Sequence, residues 1–354
     1  MEVLVFGGTG AMGAHLLTLL TSQEGVNVTV TSRSRNDNNG SLKFIQGDAH
    51  QMDFLKILLF QKNWDAIVDF MAYSTEEFRQ RVELILSSTK QYVYLSSARI
   101  YADSITPIKE DSPRLLDICD DKGYLETDEY ALAKARQENL LFNNKKRNWT
   151  IIRPYITFSE QRLQLSCAEK ENWLFDALKG KPIFFSRDLA DKYTTLTYGY
   201  DVARGIASIV GQEKALGEAF HITVRETHKW REILDTYVTI INKKTGVSPT
   251  VKWLDKWSPL VGGGGMQVKW DRLYNRRFDN SKINCFIDVD SFNKTIPALS
   301  NCLSSFIEHP CFRTIDWKAE AQKDRVVGGW TQFSDIEGAK QRFKYLLFRF
   351  GIIG

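Results

Sequence analysis

The chain is poor in the features that would tie it to a metal, a membrane or an oxidising compartment. Its five cysteines, Cys119, Cys167, Cys285, Cys302 and Cys311, are scattered and form no C-x-x-C pair. That pattern fits reduced thiols buried as small hydrophobes and gives no disulfide framework. The five histidines, His15, His50, His221, His228 and His309, show no i, i+4 pairing and have no cysteine at ligand spacing, so no metal site is expected. Apolar runs are short. Glu2–Phe6 is cut off by glycines well before the roughly 20 residues of a membrane span, which argues against a signal peptide and points to the cytoplasm. Charge of one sign is also lacking: 47 basic against 43 acidic residues leave a formal +4, and nothing in that balance demands nucleic acid.

What is present is an ordinary globular composition, 43% hydrophobic and 12% aromatic, in 354 residues. Apolar runs at residues 2–6, 26–31, 43–45, 66–70, 91–96 and 149–153 alternate with helix-like stretches at 14–22, 53–61, 75–87 and 128–143. Parallel strands need such crossovers, so the series predicts an α/β fold with a doubly wound parallel sheet. Beyond about residue 160 the pattern loosens into aromatic-rich pieces and a Gly262–Gly265 loop. It returns to the sheet around Thr194–Phe220, where a helix opens near Asp201 and a strand covers Ala219–Ile222.

The glycine-rich turn Gly7-Gly8-Thr9-Gly10-Ala11-Met12-Gly13 follows the first strand directly and opens an amphipathic helix. Glycines let backbone approach a pyrophosphate, and the helix N-terminus offers it unpaired N–H groups and a positive dipole end. This is the dinucleotide-binding, Rossmann arrangement. Residues 1–165 and 195–225 are therefore expected to form the dinucleotide domain, with 166–194 and 226–354 as a smaller substrate-binding lobe. The second strand ends in Thr31-Ser32-Arg33 with no carboxylate to take the adenosine ribose hydroxyls. Ser32 and Arg33 could hold a 2′-phosphate instead, so NADP is preferred, with NAD possible. Asp48, in Gly47-Asp48-Ala49, is placed at the adenine.

Tyr130 and Lys134 lie on one helical face, close enough for the ammonium to favour a phenolate. Upstream, the strand Tyr92–Leu95 ends in Ser96 and Ser97 at the sheet edge where ligands of such folds bind. In order, the glycine turn, Gly47-Asp48, Asp69-Phe70-Met71-Ala72, the two serines, Tyr130-x-x-x-Lys134 and Arg153-Pro154 resemble the extended short-chain dehydrogenase/reductase superfamily. Within it the resemblance is to the NAD-dependent epimerase/dehydratase branch that modifies sugar nucleotides, over residues 1 to about 225. It implies that Ser97 orients the substrate oxygen, Tyr130 is the acid/base, and Lys134 binds the nicotinamide ribose while tuning Tyr130. It further implies cofactor contacts from Gly7, Thr9, Gly10, Ala11, Met12, Gly13, Ala49, Met71, Ala72, Tyr73, Pro154 and Tyr155, substrate contact from Ser74, and a homodimer through the helices of 75–87 and Tyr130.

Three departures shape the expectation. The Asp-Glu pair that 4,6-dehydratases of this branch carry after the hydroxyl is Ala98-Arg99 here, which disfavours dehydration and frees Arg99 for an anionic part of the substrate. The arginine expected before Asp201 is missing, leaving Lys192 and Arg276 as candidate phosphate ligands. Residues 105–129 form a long acidic segment, a solvated insertion or a lid. The last basic, aromatic stretch, 340–350, suits docking through positions 343, 346, 347 and 350, or a membrane interface. The reading is an NAD(P)-dependent epimerase or ketoreductase acting on a sugar hydroxyl or keto group, with a nucleotide sugar as partner. The rival is a non-catalytic scaffold or RNA-binding relative.

Overall fold

The computed structural model describes residues 1–352. The chain divides into two units, the first made of 1–159, 195–227 and 276–295, the second of 160–194, 228–275 and 296–354. Residues 276–295, expected in the C-terminal lobe, belong to the first unit.

Strand β1 (Glu2–Phe6) carries the logic of that first unit. Its residues alternate between two apolar clusters: Val3 and Val5 join Leu16, Val28, Val30 and Ile206, whereas Leu4 and Phe6 join Leu55, Ile67, Phe78 and Tyr92. A strand buried on both faces reads as continuous hydrophobic sequence because helices cover both sides of the sheet. The other strands are β2 (Asn27–Ser32), β3 (Asn38–Asn39), β4 (Leu42–Gln46), β5 (Trp64–Asp69), β6 (Thr89–Leu95), β7 (Trp149–Pro154), β8 (Ile156–Phe158), β9 (Leu196–Tyr198) and β10 (Glu218–Ile222). Eight of them form one sheet in the order β10-β7-β6-β5-β1-β2-β4-β3, parallel except for the β3 edge; β8 and β9 pair separately. The strand order reverses at β1, which puts a topological switch point beside the glycine turn.

Helix α1 (Gly13–Thr21) covers one face together with α5 (Gly199–Ile209). The other face carries α2 (Met52–Phe60), α3 (Thr75–Ser87) and α4 (Tyr130–Phe142). The 105–129 segment is an integral layer of this unit, with short helices at Leu115–Ile118 and Lys122–Leu125. Arg114 crosses to the Ala135 carbonyl at 3.3 Å and Asn139 at 2.8 Å, and Arg136 returns to the Thr127 carbonyl at 2.6 Å. These bonds fasten the segment to the unit, while its surface stays largely in solvent as a solvated insertion's would: of residues 105–129 only Ile108, Leu115 and Tyr124 are buried.

The second unit is mainly helical, with a short parallel pair of strands, Ile183–Ser186 and Val251–Leu254. Its C-terminal helix, Ala339–Arg349, docks through Tyr345 and Phe348 against Ile315, Trp317, Ala321 and Ile336. The docking stripe keeps Leu346 of the expected one but not Phe343 and Phe350, which are exposed. The reason is polar: the Tyr345 hydroxyl donates to buried Asp324 at 2.7 Å and fixes the helix rotation. Among the described residues no helix is long and apolar enough to cross a membrane.

Candidate active site

The glycine turn is built for close approach. Gly7 takes a positive φ of 71°, and a Cβ on it would stand 3.0 Å from Met71 Sδ. A Cβ on Gly13 would stand 2.6 Å from the Gly8 carbonyl, so α1 can begin tight against the turn only with glycine there. Ala11 is equally crowded: a side chain on Gly199 would strike its carbonyl at 2.5 Å. Gly10 faces open space, and Met12, helical in φ and ψ, is the N-cap residue of α1 with no side-chain cap of its own.

Beside the turn lies a cavity of about 300 Å³ lined by Gly7, Thr9, Thr31, Ser32, Arg33, Ser34, Gly47, Asp48, Ala49, His50 and Met71. It gathers the predicted adenosine-side residues and adds Thr31, Ser34, Gly47 and His50. Ser32 Oγ accepts the N–H groups of Ser34 and Arg35 at 3.3 and 3.1 Å, which shapes the loop. Arg35 is committed elsewhere, to Asp37 and over the Phe44 ring. Arg33 is the cation left at the cavity wall. Asp48 turns its Oδ1 to the His50 N–H at 3.0 Å. Small backbone, hydroxyls, one guanidinium and one carboxylate make a donor and acceptor set that fits the adenosine half of a nicotinamide dinucleotide.

At the neighbouring strand ends, Ser97 opens a 3₁₀ turn (Ala98–Ile100), its Oγ accepting the Arg99 N–H at 3.2 Å. Helix α4 packs on this turn. Tyr130 is the first residue of α4 and remains substantially exposed, whereas Lys134, one turn on, is buried. The Lys134 ammonium donates to the Leu95 carbonyl at 2.7 Å, 4.6 Å from the Tyr94 ring centre and 5.9 Å from that of Tyr130. Burial pulls its pKa down to about 8, against the raising influence of Asp69 and Glu138. Asp69, at the end of β5, accepts from Met71 N–H and from the Tyr92 hydroxyl, and burial raises its pKa.

Several other expected contacts are engaged within the protein itself. Tyr73 turns inward: its hydroxyl reaches Asp69 at 3.4 Å, the Arg81 guanidinium covers its ring, and burial raises its pKa. Ser74 caps α3 in a reciprocal bond with Glu77. Arg276 is fully buried and donates to the Tyr101 and Ala102 carbonyls, both at 3.0 Å, so it clamps backbone rather than a phosphate. Lys192 belongs to the second unit. Ala72 is exposed beside half-buried Met71. Pro154 ends β7 opposite Ile222, and Tyr155 packs on Phe278 at 5.4 Å. Arg99 pairs with Glu129 at 2.5 Å and stands 5.2 Å from the Tyr130 ring centre. Glu129 escaped the sequence reading, although an acidic residue just before a helix is a recognisable cap signal.

Residues 3–223 match the model of the NAD dependent epimerase/dehydratase family. The chain belongs to that family. This epimerase/dehydratase member is also 28% identical, over 242 residues, to the chloroplast stem-loop binding protein of 41 kDa b of Arabidopsis thaliana. That match takes in 63% of the chain and 58% of the relative's length. Among solved structures it resembles epimerase Mth375 of Methanothermobacter thermautotrophicus, with a TM-score of 0.66 at 19% identity over 87% of this chain and 92% of the other. UDP-glucuronic acid 4-epimerase of Bacillus cereus, solved with NAD, gives 0.62 at 18% identity over 86% and 94%. At such identities these likenesses establish the epimerase/dehydratase fold.

Proposed function

We propose that this protein is an NAD(P)-dependent epimerase or ketoreductase acting on a sugar hydroxyl or keto group, carried by a nucleotide. The observation that carries the reading is the placement of Tyr130 and buried Lys134 one turn apart on α4, packed on the turn that Ser97 opens. The first unit holds the dinucleotide and the reacting groups; substrate specificity is assigned to the second. Ser97 and Tyr130 bind the substrate oxygen. Tyr130 takes the proton from a substrate hydroxyl as the carbonyl forms, or returns it in the reverse direction. Lys134, charged below about pH 8, favours the phenolate. A bound nicotinamide supplies the hydride acceptor or donor. The buried carbonyl of Leu95 keeps the Lys134 ammonium in place, so its position does not depend on the substrate.

Arg33, free of ion pairs among the described residues, supports NADP over NAD, and a single delivery of hydride by a dissociable NADP favours a reductase. Ala98-Arg99 in place of two carboxylates supports the exclusion of 4,6-dehydration. A cytoplasmic location is part of the same reading. A homodimer through α3 and α4 would have to bury Glu76, Arg79, Gln80 and Glu83, all outward on α3, so such an interface would be polar and salt-sensitive. A second reading, an RNA-binding scaffold, draws on the stem-loop binding relative. Mass spectrometry of co-purifying molecules, followed by turnover of a nucleotide-sugar panel, tests the choice. Retained NAD or NADP with turnover upholds the enzyme; RNA retained without any dinucleotide or turnover favours the scaffold.

A further inference from the structure

Tyr130 is flanked by two cations. The Lys134 ammonium lies 5.9 Å and the Arg99 guanidinium carbon 5.2 Å from the centre of its ring. Both distances fall inside the range over which a cation is attracted to an aromatic face. The two reach Tyr130 by different routes. Lys134 comes from the same helix, buried, with its ammonium on the Leu95 carbonyl. Arg99 comes from the 3₁₀ turn after β6 and is held by Glu129 Oε1 at 2.5 Å. Glu129 is itself anchored: its Oε2 accepts the Ala131 N–H at 2.8 Å, capping α4, and the Tyr124 hydroxyl at 3.0 Å. The Arg99 and Glu129 side chains are only 14% and 16% exposed, so their charges act through a medium less screening than water.

The chemistry of the two cations differs as well. Burial brings Lys134 to about 8, so its charge fades just above neutrality, whereas a guanidinium keeps its charge throughout. We propose that Arg99 is a positioning residue for the Tyr130 proton, supplying the permanent part of the positive field that favours the phenolate, while Glu129 holds it against the ring and partly offsets it. The charged and titratable groups around Tyr130 are Lys134 and Glu138 on α4, Glu129 at its cap, Arg99 on the turn and Tyr124 from the 105–129 segment. Tyr94 on β6 and Asp69 on β5 lie behind Lys134. The layer of sequence at 105–129 thereby reaches the reacting group, through Tyr124 and Glu129.

This inference rests on Tyr130 as the acid/base, but its test reads the proton directly. Tyrosines of the full-length protein are labelled with carbon-13 at Cζ, and the Tyr130 resonance is assigned by its loss in Tyr130→Phe. Arg99→Met should raise the midpoint of its titration by about 0.6–1 pH unit, the effect of a unit charge roughly 6 Å away at an effective dielectric of about 40–70. Arg99→Lys should restore more than half of that shift. Glu129→Gln, which deletes an anion, should lower the midpoint. A merely structural role would displace the Arg99→Met and Glu129→Gln midpoints in the same direction; that result, or no displacement in either, overturns the proposal. If Arg99→Met does not fold, a Glu129→Gln midpoint at or above wild type overturns it alone. Turnover is read separately: full activity in Tyr130→Phe would remove the acid/base role and leave the titration result standing.

Discussion

Replacing Lys134 by methionine should remove one pH-dependent contribution to stability, whose sign is opposite to that of most lysines. Burial depresses the Lys134 pKa from 10.5 to about 8 in the folded chain. Between those values the folded protein has shed the proton while the unfolded chain still holds it, so the stability contributed here rises with pH across that window. Below about pH 8 both states are protonated and the contribution is flat at its lowest. Each unit of pH within the window adds about 1.4 kcal/mol, which gives about 2 kcal/mol between pH 7 and pH 9.5. Lys134→Met lacks this term. Urea unfolding of both proteins at the two pH values should therefore show the difference between them moving by about 2 kcal/mol in favour of wild type at the higher pH, other titrations cancelling. At pH 7 the variant gains from losing a buried charge but leaves the Leu95 carbonyl unpaired, a cost of about 1–3 kcal/mol that offsets most of the gain. A wild-type minus variant difference that stays constant, or moves the other way, would refute a lysine held at the edge of neutrality.

Gly13→Ala should abolish dinucleotide binding in fluorescence titrations and lower the unfolding midpoint, because the new methyl has nowhere to go beside the Gly8 carbonyl. Arg33→Ala should weaken NADP by about 10–100-fold in calorimetry, the worth of a charge-assisted phosphate contact, while leaving NAD unchanged. In the second unit, Lys323 pairs with Asp176 and Glu320 out of water, and burial raises the Glu320 pKa well above the carboxylate range. Lys323→Met would leave two buried acids facing each other, and denaturant unfolding should show a loss of about 3–5 kcal/mol in that unit.

The fold was legible because β1, β2 and their crossover obey local rules: an apolar strand, a turn that needs glycine, and a helix opening at once. The same locality made Tyr130 and Lys134 readable, since i, i+4 spacing fixes a shared face. What escaped depends on groups far apart in the chain. Arg99 finds Glu129 thirty positions on, and nothing local marks that pairing. Tyr73 looks like a ligand after strand five, yet the chain is irregular beyond β5, and there Met71 lies at the glycine turn while Tyr73 turns to Asp69 and Arg81. Arg276 carries a charge that suits a phosphate, but the return of 276–295 to the first unit buries it on backbone carbonyls. The C-terminal helix keeps Leu346 of its expected stripe but buries Tyr345 and Phe348 in place of Phe343 and Phe350, because the Tyr345 phenol bonds buried Asp324.

The most direct test of the central claim is the nicotinamide absorbance of the loaded protein on mixing with nucleotide sugars, in wild type and in Tyr130→Phe. A cofactor-dependent change in wild type that slows by about 10²–10⁴-fold in the variant, with dinucleotide affinity unaltered, is the predicted result. An equal rate in both proteins would contradict it.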